Sequence, residues 1–107
     1  MTLPDINAQK AMFADPETLY SQETDQVAAD MNGDIAILNL HTKTYFGVAG
    51  AGAFIWRKLE IPTNFGDLTQ AIVAEFDVGP AQCEADVTKF LEKLASLGLL
   101  KFQLSKN

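Results

Sequence analysis

At 107 residues, with 48% hydrophobic and 21% charged residues, the chain has the composition of one globular domain that can bury a core without metal or disulfide staples. Its 8 Lys and Arg against 14 Asp and Glu leave a net charge of −6, a field that repels phosphate backbones and argues against nucleic-acid partners. The single cysteine excludes an intrachain disulfide and suits a reducing compartment. With neither a signal-peptide pattern nor a bilayer-length apolar run, a cytoplasmic protein without membrane contact is expected.

Residues 1–19 carry two prolines and no sustained period, which predicts an N-terminal arm, partly disordered, ahead of an ordered domain over 20–107. From Gln26 the pattern becomes β-type. Asn32-Gly33 between two such runs is a hairpin signal, because both residues tolerate the positive φ of a type I′ turn. The nearly continuous apolar run Ile35-Ala36-Ile37-Leu38 suits a central strand. His41 to Thr44 forms a turn into Tyr45-Phe46-Gly47-Val48, giving a three-stranded antiparallel meander.

The period then turns helical. Ala53, Phe54, Ile55, Trp56 and Leu59 mark a first helix, whose small-residue start (Ala49 to Ala53) predicts close packing against the sheet, with Trp56 as a core anchor. Asn64 is a good N-cap with Asp67 three residues on, and Leu68, Ile72 and Phe76 form the stripe of a second helix over Phe65 to Phe76. Pro80 opens a third helix, in which Cys83, Val87, Phe90, Leu91, Leu94 and Leu97 share one apolar arc. Gly98 ends it, and Leu99 to Phe102 continues in extended form. The order predicts an α+β fold, winged helix-turn-helix-like: a three-stranded antiparallel sheet followed by three helices.

No catalytic constellation is visible. His41, the sole imidazole, lies in a turn where a solvated loop residue is the plainer account, and one Cys with one His cannot make a typical structural zinc site. Gly47, Gly50 and Gly52 lack the Lys-Ser/Thr of a phosphate loop and read as steric. Asp15/Glu17, Asp25/Asp30 and Glu84/Asp86 have no arrangement suggesting paired catalytic carboxylates. The expectation is a chain with no enzymatic activity, cofactor or metal.

The run Asn39-Leu40-His41-Thr42-Lys43-Thr44-Tyr45-Phe46-Gly47-Val48, then Gly52-Ala53-Phe54-Ile55-Trp56, resembles the central signature of the PqqD-like family, the recognition elements of ribosomally made, modified peptides. Asn64 to Leu68, Glu75-Phe76-Asp77-Val78, Ala85-Asp86-Val87, Phe90-Leu91 and Leu94 to Leu100 extend the resemblance over roughly residues 26–100. Two departures stand out: Lys43 replaces a usual turn glycine, and Val48-Ala49 replaces Leu-Asn, removing a side chain that could cap the first helix. The resemblance implies a free-standing peptide chaperone of natural-product biosynthesis. Such a protein binds a precursor's leader segment as an extra antiparallel strand, in a groove against the third helix. It also implies presentation to a modifying enzyme, such as a radical SAM enzyme, or to a lasso-type leader peptidase.

On that reading the peptide-binding residues are Thr44, Tyr45, Phe46, Gly47 and Val48 of the third strand, with Cys83, Asp86, Val87, Phe90 and Lys93 of the third helix. Val87, Leu91 and Leu94 lie nearer the centre of the apolar arc and also read as core. Which of Tyr45 and Phe46 points inward is left open. The rival readings are a winged-helix DNA-binding regulator and a purely structural interaction domain. Against the former, Lys89 and Lys93 share the third helix's outer face with Glu84, Asp86 and Glu92, too mixed to track phosphates.

Overall fold

The computed structural model describes residues 17–104. Within them lie six strands and three helices: β1 (Thr18–Gln22), β2 (Gln26–Met31), β3 (Asp34–Asn39), β4 (Tyr45–Val48), α1 (Gly50–Lys58), β5 (Thr63–Asn64), α2 (Phe65–Glu75), α3 (Pro80–Ser96) and β6 (Leu100–Leu104). The expected meander is present, with antiparallel order β2-β3-β4. Its first turn is the two-residue loop foreseen, with φ of 60° at Asn32 and 96° at Gly33 and with Met31 pairing Asp34.

A second three-stranded sheet, order β5-β1-β6, was not foreseen. β1 begins at Thr18, two residues before the expected domain start; residues 1–16 of the expected arm lie outside the described residues. Its pattern hid it, because the side chains that point inward are Thr18 and Tyr20, both fully buried, while the apolar Leu19 is only half-buried. Tyr20 meets Phe102 of β6 edge-on, ring centroids 6.2 Å apart. β1 then ties the layers together as Gln22 N–H donates to Leu59 O and Glu23 N–H to Leu99 O. The winged helix-turn-helix label fits this mixed fold loosely: α2 and α3 are consecutive helices joined by Phe76–Gly79, with sheets at their flank.

The helices form where their chemistry placed them. Asn64 caps α2, its Oδ1 accepting from Asp67 N–H at 2.7 Å, and Leu68 and Ile72 are buried. α1 has no side-chain cap at Ala49, as the missing asparagine implied. In α3, Cys83, Val87, Leu91 and Leu94 turn into a core shared with Ile35, Ile37, Trp56 and Leu59. Each such side chain stabilises the fold by about 1.5–3 kcal/mol on full burial. Asp30 buttresses the β2–β3 turn, accepting from Gly33 N–H and from Arg57 of α1 at 2.9 Å. The Gly33 bond first, then Arg57, holds its carboxyl below the ordinary value of 3.8. This support is therefore present above pH 3.8 and is lost as pH falls through the lowered value.

Two backbone positions make opposite demands. Lys43 has φ 61° and so occupies a left-handed site with a residue that resists it, whereas Gly98 at φ 70° occupies one where a β-carbon would also lie 2.9 Å from Asn39 Nδ2. Lys43→Gly should stabilise the protein by up to about 1 kcal/mol, and Gly98→Ala should destabilise it by about 1–2 kcal/mol or more. Urea denaturation of both variants checks the two signs.

Candidate peptide-binding groove

The element that opens a site is β4, the edge of its sheet. Its pairing alternates: Asn39 N–H donates to Thr44 O, and counting along the register from that bond makes Ile37↔Phe46 and Ile35↔Val48 the hydrogen-bonded pairs. The N–H and C=O groups of Tyr45 and Gly47 therefore point away from β3, towards the open edge. Such a row of unsatisfied groups is a template for another strand.

Side chains divide by the same alternation. Phe46 and Val48 share the inward face with Ile37 and Ile35, while Tyr45 and Gly47 face out with Leu38 and Ala36. Tyr45 is 72% exposed. Phe46 is half-buried with its ring centroid 6.4 Å from that of Phe90 on α3, so the aromatic that faces the helix is Phe46.

The second wall is α3. Phe90 is half-buried and stands over Gly52 of α1, where a β-carbon would lie 3.2 Å from Phe90 Cε1 and 3.5 Å from Val48 Cβ. The small-residue start of α1 thus serves an approach to α3 as much as to the sheet. Beside Phe90 an apolar cavity of about 270 Å³ is lined by Ile55, Ile72, Phe76, Cys83, Asp86 and Val87 among others.

The sequence-derived site residues fall as follows. Tyr45 to Val48 are β4 itself, and Thr44 precedes it. Cys83 and Val87 are buried but border the cavity, Asp86 is exposed at its rim, and Lys93 is exposed less than one turn beyond Phe90. The Cys83 thiol is pushed up by burial and then by the Asp86 and Glu84 carboxylates. Its Sγ–H donates to Thr69 O at 3.7 Å, so Cys83 belongs to the cavity floor.

One residue central to the groove was absent from that set. Asn39 is buried, its Oδ1 accepting from the N–H groups of His41 (2.8 Å) and Thr42 (3.2 Å) and its Nδ2 donating to Leu97 O (2.9 Å) and Gly98 O (3.4 Å). It joins the turn that launches β4 to the end of α3, and so sets the separation of the two walls. The α3 end is itself closed by a Schellman pair, Leu99 N–H to Leu94 O and Gly98 N–H to Ala95 O. A strand-ending Asn before a turn was the available signal, but sequence alone could not show its second partner 58 residues away.

His41 lies in the turn, side chain exposed, its Nε2 2.6 Å from Asp25 Oδ2. Among the described residues no three His, Cys, Asp or Glu side chains gather as metal ligands, and no helix is long and apolar enough to cross a membrane.

An open strand edge running beside an amphipathic helix, with an apolar cavity where that helix meets α1 and α2, defines a module shaped to take an extended segment. Residues 34–100 match the profile of the family described as coenzyme PQQ synthesis protein D, PqqD. The chain belongs to the PqqD family. It is similar to a solved structure described as TbiB1 in complex with the TbiA(beta) leader peptide, at 33% identity over 76% of this chain and 94% of that one, TM-score 0.72. It also shares its fold with a lasso peptide synthetase B1 complexed with the leader peptide, at 17% identity over 77% and 96%, TM-score 0.69. Comparison with curated proteins finds no match.

Two outcomes follow. Asn39→Asp keeps the acceptor for His41 and Thr42 but sets a carboxylate against two carbonyls, and should cost about 2 kcal/mol or more in urea denaturation. Native Cys83 should resist iodoacetamide at pH 7 and react once the chain is unfolded, as mass spectrometry would show.

Proposed function

We propose that this protein binds the leader segment of a ribosomally synthesised precursor by strand addition to β4 and presents it to a partner enzyme. The observation that carries the reading is the open edge of Tyr45 and Gly47 lying beside the Phe46–Phe90 groove. Main-chain bonds to the edge supply affinity that is indifferent to sequence, and alternate peptide side chains entering the groove supply selectivity. The similarity to TbiB1, whose structure holds a leader peptide, supports this reading at an identity above that of fold likeness alone.

The peptide-contacting set is Thr44 to Val48 with Cys83, Asp86, Val87, Phe90 and Lys93; Cys83 and Val87 act as walls of the cavity. The chain contributes no catalysis and needs no cofactor. Its partner is a modifying enzyme, such as a radical SAM enzyme, or a leader peptidase of the lasso type; that both similar structures hold leader peptides supports the leader as the ligand. By holding the precursor, the module raises its effective concentration at that enzyme. α3 is no recognition helix for DNA, because Glu84 and Asp86 interrupt the face that Lys89 and Lys93 would offer to phosphates.

The test is titration with synthetic leader peptides of precursors encoded nearby, followed by amide hydrogen exchange. Tyr45 and Gly47 amides should gain protection while Phe46, already bonded to β3, changes little. Gly47→Pro, which deletes one outward N–H and no ladder bond, should weaken binding at least tenfold, the loss of a hydrogen bond and of close strand contact. Binding that protects neither amide would refute strand addition.

A further inference from the structure

The groove has a direction. Asn39, just before the turn into β4, touches Leu97 and Gly98 at the end of α3, whereas Val48, at the other end of β4, lies beside Gly52, which faces Phe90 and lines the cavity rimmed by Asp86. β4 and α3 therefore pass one another in opposite senses. The Thr44 end faces the last turns of α3, and the Val48 end faces its middle.

Along the stripe of α3 through Phe90, Asp86 stands four residues before and Lys93 three after, both exposed. They lie about 10 Å apart along the axis. Gln82 Nε2 donates to Asp86 Oδ1 at 2.8 Å and steadies that carboxylate. Of the other charges nearby, Lys43 donates its Nζ to Leu40 O within the turn, Lys89 is turned further towards solvent, and Glu92 lies across the helix.

We propose that Asp86 and Lys93 are specificity residues that fix the direction and the charge order of the bound peptide. The proposal rests on the strand-addition reading. A strand antiparallel to β4 enters at Val48 and leaves at Thr44, and every second side chain faces α3. The peptide that fits carries a Lys or Arg towards its N-terminal side, opposite Asp86, and an Asp or Glu two or four residues later, opposite Lys93. Apolar side chains between them meet Phe46 and Phe90. A peptide with the two charges exchanged, or laid in the reverse sense, meets like charges at both points. Complementary charge of this kind acts on register and selectivity more than on total affinity.

The probe is a fluorescein-labelled synthetic leader that binds the wild-type protein, paired with a version in which its cationic and anionic residues are exchanged. Anisotropy titrations at low and high salt compare wild type, Asp86→Lys, Lys93→Glu and the double variant; circular dichroism confirms that each is folded. The wild type should prefer the natural order, each single variant should lose about threefold, and the double variant should prefer the exchanged peptide. Added salt should shrink all three effects. If the leader binds but exchange changes nothing in either protein, the charge-order proposal is overturned while strand addition stands. If no leader binds the wild type, strand addition itself fails.

Discussion

The groove depends on one buried amide. Asn39 spends both ends of its side chain, accepting from the N–H groups of a turn and donating to the carbonyls that close a helix. Either set left unpaired in the interior costs about 1–3 kcal/mol per group, so the turn and the helix end cannot drift apart independently. Because the turn launches β4 and the helix end belongs to α3, this junction fixes the two walls of the site. Gly98 completes it: its left-handed backbone and lack of a β-carbon are both needed where Asn39 Nδ2 approaches.

The sheet has two edges, and the structure distinguishes them. Along β2 every residue but Gln26 is exposed, and the recess beside that edge is lined largely by polar side chains, Gln22, Arg57 and Glu60 among them. Along β4 half the added side chains would meet Phe46, Phe90 and the cavity. Main-chain bonding is equivalent at the two edges. The difference is the apolar surface that becomes buried, and with it the capacity to discriminate among peptides.

Much of this was legible in the sequence. The hairpin at Asn32-Gly33, the cap at Asn64, Pro80 opening α3 and Gly98 closing it are local signals with local causes, and they fell where expected. β1 was illegible because its inward positions are Thr18 and Tyr20 and its apolar Leu19 points elsewhere, while β5 is too short to carry a period. The open edge could be named from topology and family resemblance, but the choice between Tyr45 and Phe46 needed the register with Ile37 and Leu38. Asn39 was missed because its role is non-local: nothing near it in sequence announces Leu97 or Gly98.

On the proposed function an extended leader becomes the fourth strand of the meander, antiparallel to β4. Since Tyr45 and Gly47 direct their polar groups outwards, Phe46 would form the non-hydrogen-bonded pair with the leader, where opposing Hα atoms come closest. Nuclear Overhauser measurement on labelled protein with unlabelled leader tests this directly. Strand addition should give a strong contact between Phe46 Hα and one leader Hα, flanked by contacts at the Tyr45 and Gly47 amides. A bound leader whose contacts fall on β2, or on the helices without β4, would contradict it.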